Sequence, residues 1–298
     1  KLCGKLIKKI EVPKKFKNNM EMSKMGMTID FTGKTVLVTG AAKGLGKDMA
    51  LLFASCGANV HIGDFNTEEA EKTVAELKNF GVKADFTKCD VSNEEEVQKM
   101  VEEAKALGNG KLDAVVNAAG VISIQDLLYT NAKEMQRVLN INVVGSALVL
   151  KHSLEIMMKQ KSGNIILVSS IAGREGMDML QIYCASKAGV TSLVQSGARR
   201  GAPYNVRVNG ILPGIIRTSM WEEILDGMSH NWDPNNKEEV SPEVREELWK
   251  KSVESLIPLG HAQSGKDIAY ATAFLASDFA KEITSECLSI DGGTTVGR

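Results

Sequence analysis

"TVLVTGAAKGLGKDMA", residues 35–50, sets a short apolar, β-branched run directly before a glycine-rich turn and a segment of helical period. Such a run reads as a buried strand, and the spacing after Gly44 predicts a helix near 45–56. Gly40, Gly44 and Gly46 form a TGxxxGxG pattern, with Leu45 between the last two. The glycines permit a tight turn and close backbone approach, and the helix start offers unpaired N–H groups to an anion such as a pyrophosphate.

A glycine-rich turn alone is a weak signal. Here it lies between a predicted strand and helix, and Asp64 follows Gly40 by 24 residues. An acidic side chain ending the second strand accepts hydrogen bonds from a ribose 2′-OH and repels a 2′-phosphate. Lys43 pulls the other way, since it suits the 2′-phosphate of NADP(H), while Phe65 adds no positive charge after Asp64. The fixed carboxylate outweighs the flexible lysine, so NAD(H) is the expected cofactor and NADP(H) the alternative.

Working outward, apolar β-branched runs alternate with longer helical segments. Strands are predicted at 35–39, 59–64, 84–89, 112–118, 164–169, 206–212 and 287–290. Helices are predicted near 45–56, 67–80, 93–107, 131–159, 181–200 and 266–277. This alternation predicts an α/β fold, a doubly wound parallel sheet (Rossmann fold) of about seven strands with helices on both faces. Residues 31–298 are expected to form one domain. Within it, the polar segment 215–258 holds all three tryptophans, Trp221, Trp232 and Trp249. A long segment after a strand's carboxyl end often covers the ligand crevice, and a substrate lid is preferred here over a simple tryptophan anchor.

The bulk numbers are those of an ordinary globular protein: 298 residues, 43% hydrophobic, 24% charged, net charge −1. They give no sign of a nucleic-acid or membrane partner. Cysteines 3, 56, 89, 184 and 287 are scattered without a CxxC pair, and the four histidines are isolated. A reducing cytoplasm is therefore expected and a protein metal site is not. Residues 1–30 depart from the average, with eight lysines against two glutamates and one aspartate, a net of +5. Leu2, Leu6 and Ile10 there fit a short cationic amphipathic helix on a membrane or a partner. A flexible basic extension is the preferred reading.

A second stretch carries the chemistry: "SSIAGREGMDMLQIYCASKAG", residues 169–189. Tyr183 and Lys187 are one helical turn apart and share a helix face, while Ser170 ends the fifth strand. A hydroxyl, a phenol and an ammonium can thus meet above a strand end. The other YxxxK pair, Tyr129 and Lys133, has Val116 at the corresponding upstream position and reads as surface.

Taken together, "TGAAKGLG" (39–46), Asp64, "CDV" (89–91), "VNAAG" (116–120), Asn142 in "NINVVG", Ser170, "YCASK" (183–187), "PGIIRT" (213–218) and "IDGG" (290–293) resemble the short-chain dehydrogenase/reductase family over about residues 31–295. The resemblance implies Tyr183 as general acid/base, Ser170 on the substrate oxygen, and Lys187 beside the phenol and the nicotinamide ribose. It also implies that Asn142 holds a water relaying protons to Lys187. An ammonium about 4 Å from the phenolate contributes roughly 4 kcal/mol at an effective dielectric near 20. That lowers the phenol pKa by up to about three before desolvation opposes it. By the same resemblance Asp90 and Val91 flank the adenine, and Asn117, Ala118 and Gly120 line the ribose path. Pro213, Ile215 and Thr218 meet the nicotinamide. Where the family more often has NNAG, Ala118 replaces the second asparagine, which puts local bracing in question.

The substrate is less legible. Ile122, Met177, Gln181, Met220 and Trp221 are candidate wall residues, a mainly apolar set suited to a secondary alcohol or ketone. The lid start, "PGIIRTSMWEE", looks somewhat like that of acetoin or butanediol dehydrogenases. The leading expectation is an NAD-dependent oxidoreductase acting on a secondary alcohol or ketone. The alternatives are an NADP(H)-dependent carbonyl or 3-oxoacyl reductase and a non-catalytic NAD(H)-binding regulator. The resemblance further implies a homotetramer or homodimer, packed through the helices near 131–159 and 181–200.

Overall fold

The computed structural model describes residues 28–295, apart from residues 231, 234, 235 and 237. Up to residue 27, the basic segment expected over 1–30 lies outside the described residues. Seven strands form one sheet: β1 (Thr35–Thr39), β2 (Asn59–Asp64), β3 (Ala84–Lys88), β4 (Ala114–Asn117), β5 (Gly163–Val168), β6 (Val206–Pro213) and β7 (Cys287–Ile290). Their order is β3-β2-β1-β4-β5-β6-β7, and every pairing is parallel. The chain turns outward from β1 in both directions, which opens a crevice beyond the carboxyl ends of β1 and β4.

Helices cover both faces, so the strands read as near-continuous apolar runs. Strand alternation divides the core in two. Val36, Val38, Ile166 and Val168 pack with α1 (Gly44–Ser55), α2 (Thr67–Lys78) and, near the chain's end, α9 (Gly265–Ala276). Leu37, Val115, Ile165 and Leu167 face α3 (Glu94–Leu107), α5 (Gly145–Gln160) and α6 (Gln181–Gly201). Asn66 and Asn93 cap α2 and α3, their side-chain oxygens accepting from the N–H groups of the first turn.

The helix expected over 131–159 is not uniform. It begins as α4 (Ala132–Leu139), passes through a π-helical segment at Asn140–Val144, and continues as α5. By length and composition, Ala132–Gln160 is apolar enough to cross a membrane, yet more than half of that apolar window is buried inside the protein. Its apolarity thus follows from packing on the sheet. Segment 215–258 contains two helices that pack on each other, α7 (Ser219–Ser229) and α8 (Pro242–Leu256).

Candidate active site

Two connected hollows occupy the crevice. The larger, about 530 Å³, is a trough lined by Gly40, Lys43, Gly44, Leu45, Gly46, Asp64, Phe65, Asp90, Val91, Ala118 and Gly120, among others. The smaller, about 150 Å³, is lined by Ser170, Tyr183, Lys187, Pro213, Ile215 and a set of apolar side chains. Leu45, Ala118, Gly120, Thr218 and Met220 belong to both.

The trough fits a dinucleotide on its own geometry. A Cβ on Gly40 would lie 2.7 Å from the Ala119 backbone, and one on Gly46 would lie 2.2 Å from the Gly40 carbonyl oxygen. These two glycines let the strand, the turn and α1 close on one another. Gly44 has φ +62° and open space in front of it. Lys43, at the N-cap of α1, makes no side-chain cap bond, and the first turn contains no acidic residue. The free N–H groups of that turn suit a pyrophosphate.

Asp64 is held rigidly at the trough. One carboxylate oxygen accepts from the Ala42 N–H and the other from the Asn66 N–H, each at 2.9 Å. Lone pairs remain for a ribose hydroxyl. Beside it, Phe65 is 68% exposed and the Lys88 ammonium sits 5.5 Å from its ring centroid. Lys88 pairs with Asp64 in the β2–β3 register, so the positive charge that Phe65 does not bring comes from the neighbouring strand. A partner on the neighbouring strand is invisible to any local reading. Asp90 accepts from the Ser92 N–H and hydroxyl, while Val91 is buried at the trough wall.

Asn117 departs from its expected place on the ribose path. Its side chain is buried behind the wall, accepting from Thr39 Oγ1 at 2.6 Å and donating to Ser146 Oγ at 2.9 Å. It braces β1, β4 and α5 together, so the bracing put in question by Ala118 is supplied one residue earlier.

In the smaller cavity, β5 delivers Ser170 and α6 delivers Tyr183 and Lys187 from successive turns of one face. Tyr183 is 7% exposed and Lys187 5%. Lys187 Nζ donates to the Val168 carbonyl at 3.0 Å and lies 5.7 Å from the Tyr183 ring centroid. Burial pushes the Tyr183 phenol up to about 12, although a hydrogen bond with Ser170 pulls the other way. Burial likewise brings the Lys187 ammonium down to about 8. The expected lowering of the phenol is therefore reversed in the protein alone, because withdrawal from water outweighs the hydrogen bond with Ser170.

Asn142 lies in the π segment, fully buried. Its amide accepts from the Val121 N–H at 2.8 Å and donates to the Val121 carbonyl at 2.8 Å and Ser186 Oγ at 2.9 Å. The side chain thus clamps the backbone just past Gly120. Asn142 Oδ1 and Lys187 Nζ both border Gly120, within 3.3 and 3.4 Å of where its Cβ would stand. Ser186, inside the YCASK motif, is a partner that spacing alone did not single out.

Of the expected substrate wall, Ile122, Met177, Met220 and Trp221 line the smaller cavity, but Gln181 does not. The Gln181 Oε1 atom is buried without a hydrogen-bond partner. Ile224 was missed, although it shares a helical face with Met220 and Trp221 and lines the same wall. Arg174, on the approach to α6, donates to the Cys287 carbonyl at 2.7 Å and so braces β7. Tyr129 of the second YxxxK pair is 68% exposed.

The family model for short chain dehydrogenases matches residues 34–229. The (S)-acetoin-forming diacetyl reductase of Staphylococcus epidermidis is 35% identical, over 87% of this chain and 98% of its own. A 3-oxoacyl-[acyl-carrier-protein] reductase of Thermotoga maritima is 33% identical over 89% and 98%. Among solved structures, NAD⁺-bound xylitol dehydrogenase superposes with a TM-score of 0.80 at 32% identity, covering 88% of this chain and 99% of that one. Family match, sheet order and the crevice agree: this chain is an oxidoreductase of the short-chain dehydrogenase family.

Proposed function

We propose that this protein transfers a hydride between NAD(H) and a secondary alcohol or ketone, with Tyr183 as the general acid/base. The observation that carries the reading is the convergence of Ser170, Tyr183 and Lys187 on an apolar cavity that opens into a glycine-lined trough. When bound, the nicotinamide supplies or accepts the hydride and, if oxidised, adds positive charge beside the phenol. In ketone reduction Ser170 Oγ holds the carbonyl oxygen, and the Tyr183 phenol, kept protonated by burial, donates its proton to that oxygen. The Lys187 ammonium then balances the phenolate left behind. A water at the unused lone pair of Asn142 Oδ1 would return a proton through Lys187, as the resemblance implies. Alcohol oxidation runs the same groups in reverse.

The rigid Asp64 carboxylate favours NAD(H). The NADP(H)-dependent reading, as a carbonyl or 3-oxoacyl reductase, draws on Lys43 in the trough and on Lys88 over the ring of Phe65, which lines it. Residues 215–258 act as the substrate lid, with Met220, Trp221 and Ile224 of α7 closing one wall of the cavity. Cys56, Cys89, Cys184 and Cys287 are unpaired, which suits a reducing cytoplasm.

The test follows nicotinamide absorbance with NADH or NADPH and a panel of ketones. Turnover that falls by about 10²–10⁴ in Tyr183→Phe supports the reading. Turnover with NADPH alone moves the conclusion to the second reading. Cofactor binding with no turnover of any carbonyl compound removes both.

A further inference from the structure

We infer that the substrate is a small, uncharged ketone or secondary alcohol of about six to eight non-hydrogen atoms, with no polar group besides the oxygen that reacts. The inference rests on the dehydrogenase reading above and narrows it. Size comes first. A cavity of about 150 Å³, walled in part by the Pro213, Ile215 and Thr218 that would meet the nicotinamide, compares with one known to hold a single benzene ring, so roughly that bulk is the upper bound.

Polarity is the sharper restriction. Among the described residues, no aspartate, glutamate, arginine or histidine lines the cavity. The polar side chains that do line it are few, and two of them, Ser169 and Lys187, already hold partners. Ser169 Oγ donates to the Lys187 carbonyl at 2.8 Å, and Lys187 Nζ donates to Val168. Thr218 stands at the junction with the trough. Ser170 and Tyr183 remain, and both serve the reacting oxygen. On the side away from the trough the side-chain surface is mainly apolar, with Ile122, Met177, Leu180, Met220, Trp221 and Ile224. A carboxylate or a second hydroxyl placed against these apolar side chains loses its water and finds few partners.

The wall is also a packed pair of helices. Trp221 meets Trp249 edge to face, ring centroids 5.5 Å apart. Arg217 ties the start of α7 to α8 through Glu222 at 2.9 Å, through Glu246, and by its position over the Trp249 ring. A long acyl arm therefore meets a braced helix, not a loose loop. These features set the substrate apart from a polyol and from an acyl thioester.

The experiment measures kcat/KM at neutral pH with saturating NADH or NADPH, whichever supports turnover. The probes are cyclohexanone, 2-hydroxycyclohexanone, acetoacetate, 2-decalone and an acetoacetyl thioester. Cyclohexanone is expected to be the best of the five. The added hydroxyl is expected to lower kcat/KM by up to about 100-fold, the limit of discrimination for an apolar pocket. Acetoacetate and the thioester are expected to fall lower still. 2-Decalone is expected to be poor with the wild type and to improve in Trp221→Ala, with Ile224→Ala as the second variant on that wall. If acetoacetate, the hydroxyketone or the thioester matches cyclohexanone, in turnover that Tyr183→Phe abolishes, the substrate class falls and the dehydrogenase reading stands. Wild-type preference for 2-decalone overturns the size bound. No reduction of any probe with either cofactor overturns both readings.

Discussion

Lys187 keeps an ammonium almost out of contact with water, with the Val168 carbonyl as its hydrogen-bond partner. Its pKa falls from 10.5 to about 8 because burial disfavours the charge. The folded chain therefore binds this proton less readily than the unfolded chain does. Burying the charge destabilises the fold below pH 8, and the deficit shrinks as pH rises from about 8 to about 10.5. At pH 7 the shift corresponds to about 3 kcal/mol, against about 2 kcal/mol for the hydrogen bond from the charged ammonium to Val168. Lys187→Met is accordingly expected to be inactive yet about 1 kcal/mol more stable at pH 7. Its advantage should fade above pH 8, as read by denaturant unfolding across the range. A variant less stable than wild type at pH 7 would show that the charge is better compensated than its surroundings suggest.

Between elements, the decisive contacts are side chains that tie one segment to another. Asn117 joins Thr39 of β1 to Ser146 of α5, and all three are buried. Asn117→Ala removes both bonds, while Thr39 Oγ1 still accepts from the Ala119 N–H and Ser146 Oγ still donates to the Asn142 carbonyl. It is expected to cost about 1–2 kcal/mol in urea unfolding, without changing the preference for NADH or NADPH. Arg217 holds α7 to α8 from the exposed side, where ion pairs are weak. Arg217→Ala is expected to leave global stability within about 1 kcal/mol while raising KM for the ketone and exposing residues 219–256 to limited proteolysis. The strands were legible because parallel strands buried on both faces are runs such as Val36-Leu37-Val38 and Ile165-Ile166-Leu167-Val168. The π segment was not, since "LNINVVGSALVL" keeps its apolar spacing and the extra residue appears only in the backbone. Nor was Asn117's part as a brace: its partners lie 78 and 29 residues away.

At the scale of the whole molecule, the sheet order brings the glycine turn after β1, Gly120 after β4, Ser170 after β5 and Pro213 at the end of β6 to one crevice. Those motifs stood out locally, so their gathering followed once the order of strands was known. The direction of the Tyr183 shift did not follow, because its burial depends partly on Ile224, 41 residues onward, in the cluster that closes over it. Association of copies is the next level. Leu139 and Val144 present apolar side chains to solvent along the helix leading into α5. A homodimer or homotetramer covering them is expected, and a light-scattering mass of 32.2 kDa, that of a single chain, would exclude it. The braced wall has one more consequence, an optical one. Every indole of the chain lies within α7, α8 and the link between them, and Trp221 borders the reaction cavity directly. Indole emission is therefore reported by the lid alone. Reduced nicotinamide absorbs in the band where indoles emit, so its arrival should dim that emission and provide a readout of cofactor binding that needs no label and no turnover.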